Sequence, residues 1–415
     1  MLKALFFLYF LFVSSELLNV KLLIFRVKLS LFFALIAFIV FFFSKRVFSF
    51  DRDFLYVALG CFGSLLISAI CSENVLACCG FLGLFIINYI LFFVFPMNLF
   101  AVFDWREIYR LYFLSFTVVG IFASAQVLCS AFEVYLPFTT QRIGSFARGQ
   151  GLCYEPSYYA LYMTPFAVYH TVRFLLERRG KIVGPNLLYL VSTSASCFLA
   201  YLTLFLSFLA FRCKQKMRRL MKFSFWILLI SCSLWLIQPP LITHGLFKYA
   251  AAEFMVNTFL SRWTGIVQFW GTFLDHPILG AGLGGATTHY AKKEGLEIAL
   301  FDSDILDLNS AMNVTTEILG SLGLVGICAF SCFLFVLYHR CCSALKAPMM
   351  EDERIHGLSL IISLCVLFAV LQFNQSIMRS YVWLHVGLSM GYLKSLNQRC
   401  FNSFTIFRSS SARLL

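Results

Sequence analysis

The chain has 415 residues, of which 60% are hydrophobic and only 13% are charged, and 50 of them are phenylalanine. Soluble globular proteins are about 45–50% apolar and about 25% charged, so this composition excludes an ordinary soluble domain. It also excludes a disordered chain, because so apolar a polypeptide cannot stay solvated and unfolded. Apolar runs of about 20 residues without strand-like alternation indicate α-helical membrane spans. We therefore expect an all-α, polytopic transmembrane helical bundle.

The net charge is +13, but its distribution argues against nucleic-acid binding. Lysines and arginines lie mostly in short connectors between apolar runs, and this pattern sets the topology of a protein in a membrane. The 15 cysteines include no CxxC pair and no Cys/His group at zinc-binding spacing. We therefore expect no bound metal and interpret the cysteines as small apolar residues that fill the bundle.

Apolar runs bounded by charged residues predict about twelve spans in chain order. They cover 2–18, 27–43, 54–71, 75–95, 110–136, 157–176, 182–196, 197–211, 223–238, 312–338, 357–373 and 379–396. The chain therefore divides into N-terminal transmembrane helices (1–136), a first outer loop (137–157), central transmembrane helices (158–238), a large periplasmic loop (239–311), C-terminal transmembrane helices (312–396) and a cytoplasmic tail (397–415). The large loop contains the apolar stretch Leu246–Leu274, so we expect short helices within it.

The first span has two interpretations. Its start, Met1-Leu2-Lys3 followed by an apolar run and two serines, is typical of a cleavable signal peptide. An uncleaved anchor instead places both termini in the cytoplasm, which suits the basic C-terminal tail. We favour the uncleaved anchor.

The apolar stretch 182–211 is flanked by basic connectors on both sides. Both connectors should be cytoplasmic, whereas a single crossing would place them on opposite sides of the membrane. We therefore expect a helical hairpin that turns near Ser192–Ser196, with two short crossings as the alternative.

The first outer loop carries the first group of candidate functional residues. Arg142 and Arg148 lie upstream of Glu155, which directly precedes Pro156 at the start of an apolar helix. A glutamate and a proline at this position favour helix initiation, which is a sufficient structural role for Glu155. Guanidinium groups also suit a diphosphate or a sugar acid at the membrane surface.

The large loop carries the second group. Arg262-Trp263 is followed by a segment in which Gly280, Gly282 and Gly285 match GxGxxG. We reject dinucleotide binding because no predicted strand precedes the glycines and no βαβ unit surrounds them. The glycines instead indicate tight turns and close backbone approach.

The third group begins the long apolar helix after that loop. Asn313 is a candidate N-cap, whereas Glu317 lies inside the span, where a carboxylate needs a partner or a water-filled cavity. Gly320, Gly323 and Gly326 predict a smooth ridge for helix packing. Arg379 is predicted at the same outer side of the membrane.

Taken in order, these three groups resemble the O-antigen ligase/polymerase family. The shared residues are Arg148 with Glu155-Pro156-Ser157, then Arg262-Trp263 with His276-Pro277-Ile278-Leu279-Gly280-Ala281-Gly282, and then Asn313 with Glu317, Gly323 and Gly326. The similarity covers roughly residues 140–340, together with a matching arrangement of spans on either side. It implies glycosyl transfer at the outer face of the bacterial inner membrane, without a cofactor or a metal.

One departure favours the polymerase branch of this family. Lipid-A-core ligases carry a histidine immediately before the asparagine, and this chain has Met312 there. A polymerase would join undecaprenyl-diphosphate-linked repeat units into O-antigen or capsular polysaccharide. Two alternatives stay open: a ligase for another acceptor, with His289 in place of the missing histidine, and a lipid-linked oligosaccharide flippase.

The resemblance assigns roles to particular side chains. Arg262 would stabilise charge on the departing diphosphate, and Glu155 or Glu317 would accept the proton of the attacking hydroxyl. The predicted substrate-binding residues are Arg142, Arg148, Asn313, Arg379 and His289. The expected partners are the undecaprenyl-diphosphate-linked glycan and membrane lipid, with a chain-length regulator and a flippase as further candidates and no nucleic acid.

Overall fold

Helices dominate the protein, whose computed structural model describes residues 2–22, 25–45, 48–140, 142–143, 146–177, 182–192, 194–212, 253–293, 313–346, 349–372 and 377–411. The helices are α1 (Leu2–Phe12), α2 (Leu29–Lys45), α3 (Arg52–Ile70), α4 (Val75–Ile87), α5 (Phe95–Leu99), α6 (Trp105–Ser130), α7 (Pro156–Glu177), α8 (Val183–Leu190), α9 (Ala195–Arg212), α10 (Glu253–Asp275), α11 (Ala286–Lys293), α12 (Val314–Ala344), α13 (Glu351–Val370) and α14 (Ser380–Ser411). A π-helical segment, Asn88–Val94, joins α4 to α5. Two short antiparallel hairpins pair β1 (Asn19–Leu22) with β2 (Phe25–Lys28) and β3 (Arg142–Ile143) with β4 (Phe146–Ala147). The predicted helical class is confirmed within these ranges.

Several helices suit a bilayer. Helices α3, α6, α12 and α13 and the continuous stretch from α4 to α5 are each long and apolar enough to cross a membrane, whereas α1 and α2 are apolar but shorter. Large apolar side chains such as Phe43, Leu128 and Phe335 point away from the protein, a surface that suits lipid rather than water. The fold is therefore compatible with a multi-pass membrane protein. The total of twelve spans stays a prediction, and the span 223–238 lies outside the described residues.

Helix boundaries follow several predicted spans within about two residues but depart from others by five or more, most of all at the C-terminus, where α14 continues to Ser411 through the segment predicted as a tail over 397–415. The span predicted over 2–18 is shorter, because α1 ends at Phe12 and the Ser15 hydroxyl donates to the Phe12 carbonyl (2.5 Å). Glu16 therefore lies in a turn and not in a helix. The turn predicted near Ser192–Ser196 is found, since α8 ends at Leu190 and α9 begins at Ala195, and it fits both a hairpin and two short crossings. The helix expected in the large loop is confirmed over Glu253–Asp275.

Ion pairs tie helix termini together at one end of the bundle, which we call the Arg340 end. Arg340, near the end of α12, binds Asp51 (2.8 Å) and Asp53 (2.6 Å) at the start of α3. Arg173, late in α7, binds Asp352 in the first turn of α13 (3.0 Å). Alternating helices therefore start and finish here, as expected for antiparallel neighbours.

The opposite ends of the same helices meet at the Arg379 end. The turn after α1 contacts the residue before α14 through Glu16 and Arg379. Asn313, before α12, donates to the carbonyl of Gln372, after α13 (2.7 Å). The bundle thus has two polar ends separated by apolar helices, which is the layout of a protein that crosses a bilayer.

The glycine-rich segment 276–285 docks into a break in α12. Gly323 has φ 62° and interrupts the helix, and Leu324 N–H then donates to the Pro277 carbonyl (2.9 Å). On the other side of the break, the Gly320 carbonyl accepts from Ala281 N–H (3.0 Å). The segment therefore satisfies backbone groups that the break would otherwise leave unpaired.

This arrangement partly corrects the predicted glycine ridge. Gly320 does allow close packing, because a Cβ there would lie 2.6 Å from the Phe269 carbonyl oxygen in α10. Gly323 instead marks the break in the helix. The rejection of dinucleotide binding agrees with the structure, since helix α10, and not a strand, precedes the glycines.

Candidate functional site

A buried ion pair forms the centre of the Arg379 end. The Arg379 guanidinium donates to the Glu16 carboxylate, and the side chains of Glu16 and Arg379 are only 5% and 18% exposed. The two residues are 363 positions apart in the chain. A charge this deeply buried needs a partner, so this contact fixes α1 against α14.

Three further groups surround the pair. The Arg379 guanidinium lies over the ring of Tyr158, 3.8 Å from its centre, in cation–π geometry. The backbone N–H of Tyr154 donates to Glu16 (3.3 Å). Lys28, at the end of β2, places its ammonium 3.7 Å from the same carboxylate. We call Glu16, Lys28, Tyr158 and Arg379 the Arg379 cluster.

The electrostatics of the cluster favour a charged Glu16. Burial raises the pKa of Glu16, but Arg379, Lys28 and the Tyr154 N–H together outweigh that effect and hold the pKa below its usual value. Burial alone would lower the pKa of Arg379, and the Glu16 carboxylate raises it well above its usual value. The cluster therefore contains two cations and one carboxylate, an excess of positive charge in a partly buried position.

Helix N-termini add to this positive potential. Helix α7 begins at Pro156, two residues before Tyr158, and α14 begins directly after Arg379. The first turn of a helix carries partial positive charge on its free N–H groups. Two such ends beside two cations make this part of the bundle suited to an anionic ligand.

Glu155 lies at the start of α7, next to Tyr154. Its carbonyl accepts from the N–H groups of Tyr158 and Tyr159 (both 3.1 Å), and its carboxylate accepts from the Ser157 hydroxyl (2.9 Å). These hydrogen bonds agree with the predicted role of Glu155 in helix initiation. The partly exposed carboxylate also lies on the same loop that contacts Glu16, so Glu155 borders the Arg379 cluster.

Arg148 fixes the first outer loop to the helical hairpin. Its Nε donates to the Ser192 carbonyl (3.3 Å), and the neighbouring Gly149 N–H donates to the Val191 carbonyl (3.1 Å). A Cβ at Gly149 would lie 2.3 Å from the Val191 side chain, so the contact depends on glycine. Arg148 therefore lies near the Arg379 end, where it contacts the turn between α8 and α9.

Asn313 and Glu317 begin α12. Asn313 is the predicted N-cap, since its side-chain oxygen accepts from Thr316 N–H (3.0 Å). Glu317 is 3% exposed and lines a mainly apolar cavity of about 70 Å³. Ile377 and Met378, which directly precede Arg379, line the same cavity. The sequence Ile377-Met378-Arg379 therefore separates Glu317 from the Arg379 cluster.

His289 belongs to a separate, more exposed group. Its ring contacts Asp275 (3.1 Å), His276 (3.4 Å) and Glu73 (3.7 Å), and these contacts attach α11 to α10 and to the turn before α4. Lys293 also binds Asp275 (2.7 Å), and the hydrogen bonds from Lys293 and His289 lower the pKa of that carboxyl. These contacts are sufficient to explain His289 as a structural residue.

Two predicted residues cannot be placed as side chains. Arg142 lies in β3 and Arg262 in α10, but the side chains of both lie outside the described residues. Helix α10 packs on α12, whereas Arg148 contacts the turn between α8 and α9. The predicted convergence of Arg148 and Arg262 therefore stays a prediction.

Sequence reasoning missed Glu16, Lys28 and Tyr158. Glu16 was assigned to the first span, although a carboxylate inside an apolar run is a signal of function. Lys28 lies at the start of the predicted span 27–43, where a lysine is typical of a span end. The contact between Lys28 and Glu16 can be recognised only when the hairpin of β1 and β2 is known.

Comparison with known proteins assigns no family to the chain. No protein-family model matches it, and no curated protein matches it. Within the described ranges, no group of three or more His, Cys, Asp or Glu residues is placed to hold a metal ion. The site is therefore interpreted from its own residues.

Proposed function

We propose that the protein is a membrane-embedded glycosyltransferase that polymerises undecaprenyl-diphosphate-linked repeat units into O-antigen or capsular polysaccharide. The observation that supports this function best is the Arg379 cluster, in which Arg379 and Lys28 surround one buried carboxylate. Its excess positive charge lies at one end of an apolar bundle. A lipid diphosphate matches this arrangement, because its anionic headgroup lies at the membrane surface, near the positive charge, and its chain lies in the bilayer, beside the apolar helices.

The proposed reaction is a displacement at the anomeric carbon of the donor sugar. The hydroxyl oxygen of the acceptor repeat unit forms the new glycosidic bond as the bond from that carbon to the diphosphate oxygen breaks. The diphosphate leaves with the electron pair, and Arg379, Lys28 and Arg148 stabilise its growing charge. The hydroxyl proton passes to a carboxylate, for which Glu155 is the better candidate, because Ile377-Met378-Arg379 separates Glu317 from the cluster.

The proposal includes a sidedness. The Arg379 end faces the outside of the bacterial inner membrane, and the Arg340 end and both termini face the cytoplasm. Twelve spans and a large outer loop over 239–311 belong to this topology. The undecaprenyl-linked donor then supplies the free energy of each transfer, so no nucleotide is needed at the outer face.

A lipid-linked oligosaccharide flippase is the main alternative from another class. It would also bind a lipid diphosphate, but it would move the substrate between leaflets without lengthening the glycan. Glu155 follows Tyr154, whose backbone contacts the cluster, and a carboxylate at this position favours transfer chemistry, because displacement needs both a base and an anion-stabilising site. A ligase differs only in its acceptor, and Met312 favours the polymerase.

The proposed function is tested with Arg148→Gln in purified protein reconstituted with synthetic diphosphate-linked repeat units. We expect the rate of chain lengthening to fall about 100-fold or more, since one aimed donor in such a site contributes that much. Arg106→Gln is the matched control, because Arg106 forms an exposed ion pair at the Arg340 end. Gel separation of the glycans measures both.

Two results would count against the proposal. One is leaflet exchange of unextended lipid by the wild-type protein with no chain lengthening, which would support the flippase. The other is equal activity of Arg148→Gln and the wild type at equal amounts of folded protein.

A further inference from the structure

A column of buried polar side chains runs through the centre of the bundle, apart from the cluster and the cavity described above. Its members come from α6, α7, α13 and α14, and each is at most 4% exposed. They are Tyr381, Tyr162, Tyr112, His385, Ser363, Tyr109, Ser389, His356 and Tyr169. Polar groups are costly in a bilayer, so two histidines and five tyrosines in one column require an explanation.

His385 lies in the middle of the column with a defined hydrogen-bond direction. Ser363 donates its hydroxyl hydrogen to the Leu360 carbonyl (2.7 Å), so its oxygen accepts from His385 Nε2 (2.8 Å). His385 Nδ1 is then the acceptor, and the Tyr112 hydroxyl donates to it (3.3 Å). The neutral imidazole therefore has its proton on Nε2.

His356 lies nearer to the Arg340 end and is oriented in the same way. Arg173 donates to the Tyr169 hydroxyl oxygen (3.2 Å), and the Tyr169 hydroxyl donates to His356 Nδ1 (2.6 Å). Arg173 also binds Asp352 (3.0 Å) and Glu177 (2.9 Å). Arg173 therefore fixes this end of the column to carboxylates at the Arg340 end.

Aromatic contacts connect the two histidine groups and extend the column. The ring of Tyr109 lies 4.5 Å from that of His356 and 6.3 Å from that of Tyr112. On the other side, the ring of Tyr381 lies 5.7 Å from that of Tyr162. Tyr381 follows Arg379 by two residues, so the column reaches the Arg379 cluster.

Two buried atoms of the column have no hydrogen-bond partner among the described residues. They are Tyr381 Oη and His356 Nε2. Such atoms are rare in folded proteins because each costs about 1–3 kcal/mol when it is left unsatisfied. Each can bond to a water molecule, and water would carry the proton between the hydrogen-bonded groups of the column.

The column is long enough to connect the two ends of the bundle. Along α7 it extends from Tyr158, beside Arg379, to Arg173, about 22 Å at 1.5 Å per residue. The hydrocarbon core of a bilayer is about 30 Å thick, so this distance covers most of it. Phenylalanine would fill the same space without the cost of buried hydroxyl groups.

We propose that this column is a proton path between Tyr381, next to the Arg379 cluster, and Tyr169, near the Arg340 end. At each step an O–H or N–H bond breaks and another forms on the next oxygen or nitrogen atom. One proton enters and one leaves, with no oxidation or reduction. Buried chains of histidine and carboxylate residues have this role in membrane pumps and transporters. The proposal does not depend on the glycosyltransferase function.

Proton flux into proteoliposomes that contain a pH-sensitive dye tests the path. A potassium gradient with valinomycin supplies the driving force, and no glycan substrate is present. We expect the wild type to exceed protein-free vesicles and Tyr109→Phe to reduce the flux at least about tenfold, since it removes one hydroxyl and keeps the ring. Tyr201→Phe is the matched control, because Tyr201 binds Asn186 outside the column.

Two outcomes of this experiment would contradict the proton path. A wild-type flux equal to that of protein-free vesicles, or equal fluxes for Tyr109→Phe and the wild type, would overturn the proposal. If Tyr109→Phe does not yield folded protein, His356→Phe is measured against His170→Phe, whose ring packs on Phe113 and Phe166. Loss of flux with normal chain lengthening would separate this path from the proposed enzyme activity.

Discussion

Arg379→Gln is expected to abolish chain lengthening and to lower the free energy of unfolding by about 3–5 kcal/mol. The substitution leaves the Glu16 carboxylate buried without its main partner, and such a charge is strongly destabilising. Lys28 stays 3.7 Å from Glu16 and offsets part of this loss. Thermal unfolding of the detergent-solubilised protein measures the stability, and the reconstituted assay measures the activity.

Two variants separate stability from function. Glu16→Gln combined with Arg379→Gln removes both charges, so we expect it to recover most of the stability and none of the activity. Arg340→Gln is the control at the other end, where Asp51 and Asp53 form a partly exposed pair with that arginine. Normal glycan lengths from folded Arg379→Gln would contradict the role of the cluster in catalysis.

Gly280→Ala is expected to release the segment 276–285 from the broken helix α12 and to cost more than about 3 kcal/mol. Gly280 has φ 65°, which disfavours any residue with a Cβ. The new atom would also lie 2.3 Å from the Ser321 carbonyl carbon and 2.4 Å from the Leu322 nitrogen. Because backbone atoms cannot move aside alone, α12 and the segment must separate.

Gly271→Ala is the matched control for this substitution. Gly271 lies in α10 with nothing within 4 Å of the position of its Cβ. Alanine is the better helix former by about 1 kcal/mol, so this variant should be neutral or slightly more stable. Equal melting temperatures for the two variants would show that the segment does not depend on close contact at Gly280.

Much of the helical framework could be predicted from the sequence. Apolar runs bounded by charge located α3, α7 and α9 within about two residues, because a bilayer accepts little else. The turn between α8 and α9 followed from the two basic connectors. The break at Gly323 could not be predicted in this way. The same glycine spacing fits a continuous helix with a smooth ridge and a broken helix whose free backbone groups bond to a distant loop.

The candidate site was predictable only in parts. Asn313 as an N-cap and Glu155 at a helix start follow from local rules, because their partners are within three or four residues. The partner of Arg379 is 363 positions away, and no local pattern connects them. Glu16 appeared to belong to a span, since the serines that end α1 differ little in the sequence from small residues inside a helix.

Binding of undecaprenyl diphosphate to Lys28→Gln tests the central claim, that the Arg379 cluster binds a diphosphate headgroup. This variant keeps the pair of Glu16 and Arg379 and removes only the excess positive charge. We predict that its affinity, measured by native mass spectrometry in detergent, falls about tenfold or more, as expected for one lost charge-assisted hydrogen bond. Lys394→Gln, at the Arg340 end, should bind as the wild type does. Unchanged affinity of Lys28→Gln, or an equal loss for Lys394→Gln, would contradict the claim.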